Sequence, residues 1–175
     1  MKVAITGANS SVGKNLLVRL SKEEDITKVA GVRNEKVIPE LPKSPAIKPT
    51  IINYDDIKSL EKALDGADIV IHLAGILIET KHSNYANANI AATAAIVDAA
   101  KKSDVKSIIF ISVVGANPES RNAYFRSKGV AEELVLSSGL GARILRTPIL
   151  FGPNAAGSYT HLRAHETRGN LVCRL

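Results

Sequence analysis

The chain has 175 residues, 45% of them hydrophobic and only 4% aromatic, which suits one globular domain with a buried core and is short for two. Its formal charge is +6, but residues 158–175 hold three Arg and one Glu, leaving 20 Lys and Arg against 16 Asp and Glu elsewhere. That mild excess suits phosphate-bearing ligands; without a basic cluster interleaved with aromatics it excludes a nucleic-acid interface.

No run approaches the roughly 20 apolar residues of a membrane span, and MKVAITGA is too short an apolar run for a secretory signal, so a cytoplasmic protein is expected. The single cysteine, Cys173, lies at the C-terminal end, so the body offers no disulfide, thiolate metal cluster or cysteine nucleophile.

The first apolar run, KVAITG (2–7), leads through TGANSSVG (6–13) into a helical pattern over Gly13 to Leu20. A sharp turn from strand to helix needs residues without bulk, and the exposed amides at the helix start attract a pyrophosphate. Gly7 and Gly13 fill the outer positions of this loop, while the middle one, often glycine, is Ser10, whose hydroxyl could donate to phosphate together with that of Ser11. A plain strand-to-helix turn capped by Asn9 and Ser10 is the alternative.

A second strand, ITKVAGV (26–32), ends at Arg33, where an NAD-preferring fold places an acid against the ribose hydroxyls. Arginine there suits a 2′-phosphate, so NADP is favoured over NAD; Glu35 nearby is the candidate for the opposite preference. VIPELPKSPAIKP (37–49) carries four prolines and reads as an extended surface connection. A third strand, TIINY (50–54), a helix over Ile57 to Leu64 and a fourth strand, DIVIHLA (68–74), follow.

The next helix, Tyr85 to Ala100, is crowded with alanine, which permits close approach to the sheet or, in a homodimer, to the same helix of a second copy; simple helix propensity accounts for it equally well. A fifth strand SIIFISVV (107–114), a helix Ala123 to Leu136 and a sixth strand ARILRTPILFG (142–152) complete the pattern. Buried strands alternating with amphipathic helices predict an α/β fold, a doubly wound parallel sheet of order 3-2-1-4-5-6 with helices on both faces.

After Asn154 no periodicity remains. His161, His165 and Cys173 there invite a metal-site reading, but SYTHLRAHET resembles a translated library-preparation adapter. Residues 157–175 are therefore expected to be a non-native tail, residues 1–156 a Rossmann domain truncated after its sixth strand, and no metal site is expected.

TGANSSVG, DIVIHLAG (68–75), AYFRSK (123–128) and LRTPILFGP (145–153) occur in the order found in short-chain dehydrogenases/reductases. The pattern resembles their extended and atypical members, nucleotide-sugar epimerases and dehydratases and relatives of the NADPH-binding accessory subunit of respiratory complex I. The resemblance implies that Gly7, Asn9, Ser10, Ser11, Val12 and Gly13 hold the pyrophosphate and Arg33 the adenosine ribose. It implies that Asn53 and Tyr54 flank the adenine, that Leu73, Ala74, Gly75 and Pro148 lie along the cofactor, and that Asn89 braces the site. His72 is expected to pack in the sheet rather than act as an acid or base.

Tyr124 and Lys128, at i and i+4 on one helix, share a face. The resemblance makes Tyr124 the group that exchanges a proton with the oxygen of a small-molecule substrate, such as a nucleotide sugar or another carbonyl compound. Lys128 would lower the phenol's pKa and hold the nicotinamide ribose. The third member of the catalytic set is a Ser or Thr at the end of the fifth strand, where Val113 falls in register. Ser112 is the candidate one residue away, and one residue changes the face of a strand. The 11 residues between Ser112 and Tyr124 leave little room for a substrate loop and fit the cofactor-holding relatives.

Overall fold

Residues 1–148 and 150 are described by a computed structural model. The expected strand end at 152, the domain boundary at 156 and the tail lie outside those residues. Six parallel strands form one sheet: β1 (Lys2–Thr6), β2 (Thr27–Val32), β3 (Ile47–Ile51), β4 (Ile69–His72), β5 (Ser107–Val113) and β6 (Gly141–Thr147), in the order β3-β2-β1-β4-β5-β6. The helices α1 (Ser11–Leu20), α2 (Ile57–Leu64), α3 (Ala92–Lys102) and α4 (Ala123–Leu136) make the crossovers. The order reverses between β1 and β4, so the loops leaving these two strands diverge and open a crevice at their C-terminal ends.

Alternate residues of each central strand feed two cores. On one face Ala4, Val70, Ile108 and Phe110 meet Leu60, Leu64, Ile96 and Val135 of α2, α3 and α4. On the other, Val3, Ile5 and Val32 meet Leu17 of α1 and Leu41. Each such fully buried aliphatic side chain contributes about 2 kcal/mol by leaving water, so the two helical layers are held by their apolar stripes rather than by helix propensity.

Two segments differ from the sequence-based expectation. The third strand lies at 47–51 rather than 50–54: it is an edge strand, where the missing amide of Pro49 is tolerated, and the apolar run beyond it turns toward the crevice. The proline-rich connection is not extended throughout. Its first part forms a 3-10 helix, Glu35–Glu40, capped by Asn34, whose turns are closed by the amides of Val37 and Leu41, so Pro39 breaks no bond. Val37 and Ile38 pack on the α1-side core.

Register sets up the site. Thr6 pairs with His72 and His72 with Phe110, so these three residues form a row across the ends of β1, β4 and β5, on the face covered by α2, α3 and α4. Before α3 the helix widens into a π-helical turn, Ala86–Ala91, which contains Asn89. Such turns displace a side chain relative to the regular helical position.

Candidate cofactor site

The turn after β1 is built by two glycines with different tasks. Gly7 has φ +69°, and a Cβ there would lie 2.9 Å from the Ala74 amide nitrogen, so the chain leaving β1 runs against the chain leaving β4. A Cβ on Gly13 would sit 2.6 Å from the carbonyl oxygens of both Gly7 and Ala8, so only glycine lets α1 start this close to the strand. Ser10 caps α1, its hydroxyl oxygen accepting from the Gly13 amide at 3.0 Å. The capping alternative for Ser10 is thus realised.

A cavity of about 780 Å³ opens at this loop, within the usual size of small-molecule sites. Of the expected cofactor residues it is lined by Gly7, Asn9, Ser10, Arg33, Asn53, Tyr54, Leu73, Ala74 and Gly75. Arg33 is exposed at its rim, and Glu35, which begins the 3-10 helix, does not line it. Burial raises the Tyr54 phenol to about 12, against the pull of its hydrogen bond with Thr6 and of the Arg33 charge. Tyr54 is therefore a neutral wall at any physiological pH.

Six expected residues stand outside the lining. Ser11, Val12 and Gly13 form the first turn of α1 behind the loop, and Pro148 is half-buried after β6. Asn89 is buried behind the wall: its Oδ1 accepts from the Ile76 amide at 2.8 Å, and its Nδ2 donates to the Ile76 carbonyl at 3.2 Å and to Ser127 Oγ at 3.0 Å. It clamps the segment that follows Gly75, where a Cβ would come within 3.0 Å of Oδ1.

Lys128, the sixth, is 8% exposed and its Nζ donates to the Ile111 carbonyl at 2.8 Å, 4.0 Å above the Phe110 ring. Burial lowers its pKa to about 8, partly offset by Glu132 one turn on. Tyr124 turns elsewhere, its ring 5.8 Å from that of Tyr85 and 5.7 Å from that of Phe125. Its pKa is raised, by burial first and by Tyr85 second. The expectation that Lys128 lowers the phenol's pKa is not met in this arrangement. The two residues share a helix face, but the lysine reaches inward to β5 while the phenol lies against the loop before the π-helical turn.

Ser112 lies on the same face of β5 as Phe110, is 3% exposed, and its hydroxyl has no hydrogen-bond partner among the described residues. Val113 is half-buried on the other face. Neither lines the cavity.

Sequence reasoning missed two parts of the wall. His82 and Ser83 belong to an aperiodic loop after β4 and carried no signal. Ala88, Ala91 and Ala92 also line it, and their three- and four-residue spacing was a signal: the alanine-rich stretch leaves room for a ligand where larger side chains would fill the cavity.

This crevice at a switch point, cradled by a glycine turn and a capped helix start, is the geometry of a dinucleotide site, and the residues present fit a nicotinamide dinucleotide. The family model described as NAD(P)H-binding matches residues 7–174, and the chain belongs to that family, within the extended short-chain dehydrogenase/reductase superfamily.

Among its relatives, subunit 9 of the NADH dehydrogenase [ubiquinone] 1 alpha subcomplex, mitochondrial, of Dictyostelium discoideum is 31% identical over 122 residues, 70% of this chain and 33% of that protein. The UDP-2-acetamido-2,6-beta-L-arabino-hexul-4-ose reductase of Pseudomonas aeruginosa is 30% identical over 165 residues, 91% of this chain and 38% of that protein. The chain thus spans well under half the length of these relatives. The fold matches that of UDP-glucuronic acid 4-epimerase from Bacillus cereus, solved with UDP-glucuronic acid and NAD, with a TM-score of 0.75 at 22% identity, covering 89% of this chain and 59% of that one. No helix among the described residues is long and apolar enough to cross a membrane.

Proposed function

We propose that this chain is the cofactor-binding part of an NAD(P)-dependent oxidoreductase or nucleotide-sugar epimerase or dehydratase. The observation that carries the reading is the cavity between the glycine turn, Arg33, Tyr54 and the Ala74–Gly75 segment, which offers amides for phosphates at one place and small residues for close approach at another. Arg33 at the rim, with Glu35 outside it, favours NADP over NAD.

A bound nicotinamide supplies the hydride. The chain's own contribution is to orient that cofactor and move a proton. Tyr124 exchanges it with the substrate oxygen, and Lys128, one turn further along the same helix, is the group that would hold the nicotinamide ribose. Substrate choice belongs to the part of the longer relatives that this chain does not span.

A second reading, a protein that holds NADPH without turning it over, is favoured by Val113 at the usual Ser/Thr position and by the raised Tyr124 phenol. The test compares native chain and Tyr124→Phe with NADPH or NADH, nucleotide sugars and carbonyl compounds. Turnover lost by at least about 100-fold in Tyr124→Phe, with cofactor affinity unchanged, is the expected result. Tight cofactor binding without turnover in either protein overturns the catalytic reading and leaves the second.

A further inference from the structure

A row of buried hydroxyls ties the cavity to the helix that carries Tyr124, and its protons can be assigned from the partners alone. Thr93 Oγ1 donates to the Asn89 backbone carbonyl at 2.6 Å, since a carbonyl can only accept. Its oxygen therefore receives from His72 Nε2, 3.1 Å away, which must carry its hydrogen. The imidazole is fully buried, and burial, followed by the charge of Lys128, holds its pKa down at about 3, so the ring is neutral and Nδ1 is bare.

Thr6 donates to Nδ1 at 2.6 Å, since a bare ring nitrogen can only accept. The three bonds then point the same way, from Thr6 through His72 and Thr93 to the Asn89 carbonyl. The ring that links them is fixed in orientation by the Phe110 ring stacked on it at 5.6 Å and by the edge of Tyr54 at 6.4 Å.

The far end of this row is the π-helical turn. There the Asn89 side chain clamps Ile76 at the cavity wall and reaches Ser127, whose hydroxyl donates to the Tyr124 carbonyl at 2.8 Å. We propose that His72 is a positioning residue: its neutral Nε2–H imidazole seats Thr93 on the Asn89 carbonyl and thereby holds the turn that aims Asn89 at Ile76. The proposal rests on the reading of this cavity as the cofactor site. A residue that merely filled space between Phe110 and Tyr54 would need no such proton order.

The test separates the two ring nitrogens. In His72→Gln the side-chain amide nitrogen stands near Nε2 and keeps the bond to Thr93; in His72→Asn the amide oxygen stands near Nδ1 and keeps only the bond from Thr6. Hydrogen exchange of the Ile76 amide is followed in the full chain without cofactor, and NADPH and NADH affinity by cofactor fluorescence. Loss of the Thr93 bond is expected to speed Ile76 exchange and weaken cofactor binding about tenfold in His72→Asn and Thr93→Val, with His72→Gln and Thr93→Ser staying within about threefold of native.

Equal effects of Gln and Asn, or no effect of either, overturn the proposal. Should the position-72 variants fail to fold, the Thr93 pair and the ring-nitrogen resonances of the native protein decide: an Nδ1–H imidazole, or equal effects of Thr93→Val and Thr93→Ser, overturns it. If the native chain binds neither cofactor, the cofactor reading falls, while the Ile76 exchange pattern still decides for or against His72.

Discussion

The two sides of the crevice are built by different means. Where β3, β2, β1 and β4 end, the backbone sets the shape: Gly7 and Gly13 fix the closeness of strand, helix and neighbouring turn, Ser10 caps α1, and nine of the expected cofactor residues line one cavity. On the β5–α4 side function depends on where side chains point, and the three candidates diverge. Lys128 faces the Ile111 carbonyl, Tyr124 leans on Tyr85 and Phe125, and Ser112 is buried without a partner. Binding geometry made from backbone survives a change of neighbours; catalytic geometry made from side chains depends on strand parity and on what packs above it.

His72 joins the two sides and offers the largest lever. An ordinary histidine, as in the unfolded chain, takes up a proton near pH 6.5, whereas the native one does so only near pH 3. Below pH 6.5 the unfolded state therefore binds a proton that the native state refuses. Stability falls by about 1.4 kcal/mol per pH unit from this group, to a total of about 5 kcal/mol by pH 3. The loss is absent above pH 6.5. Subtracting the urea-unfolding pH curve of His72→Gln from that of the native chain should leave this slope; a flat difference would show that the ring is not held neutral.

The next largest effect tests the β5–α4 side by itself. A Cβ on Gly129, beside Lys128, would lie 2.3 Å from both the Asn117 carbonyl carbon and the Pro118 nitrogen, all backbone, so the loop after β5 must move. Gly129→Ala is expected to cost about 3 kcal/mol in denaturant unfolding, despite alanine's better helix propensity. If the glycine turn is as independent of this side as its backbone construction implies, the folded variant keeps NADPH affinity within about threefold while Tyr124-dependent turnover is lost. A stabilised Gly129→Ala protein would break the picture of a helix pressed onto the loop.

Legibility in the sequence follows the same division. Strand order, α2 and α4 could be read because apolar periodicity and parallel connection rules act locally. The third strand was displaced because an edge strand tolerates Pro49 and because the buried Ile52 continues the apolar run past the strand's end. The glycine loop was legible as a motif, and Ala88, Ala91 and Ala92 carried a spacing that could have been used. His82 could not be found, since a loop side chain reaches the cavity by a path no period encodes. The proton order through His72 was equally hidden, because it arises from register between β1 and β4 and from a π-helical turn.

Arg33 sharpens the cofactor side with a smaller effect. Its guanidinium stands exposed at the cavity rim, where a 2′-phosphate would meet it and a bare ribose hydroxyl would not. Arg33→Ala should weaken NADPH about tenfold and NADH less than about twofold, the screening of an exposed charge keeping the difference near 1.4 kcal/mol. Equal weakening of both cofactors in a fluorescence titration would remove the NADP preference.

Ser112 gives the smallest effect and the most direct reading of the β5 side. Its hydroxyl is buried and makes no hydrogen bond among the described residues, so the folded chain forgoes the bond that water supplied in the unfolded one. Ser112→Ala removes that cost along with little volume, and the variant should be more stable by about 0.5–1 kcal/mol in denaturant unfolding. A serine that oriented substrate would behave oppositely, losing turnover when truncated and gaining little stability. Ser112→Ala with full turnover leaves the Ser/Thr role vacant at Val113, and Val113→Ser, on the other face of β5, then becomes the change expected to raise activity. Loss of turnover in Ser112→Ala without stabilisation would instead mean that the hydroxyl finds its partner in the substrate, and the contrast between a backbone-built and a side-chain-built side would narrow to Tyr124 and Lys128.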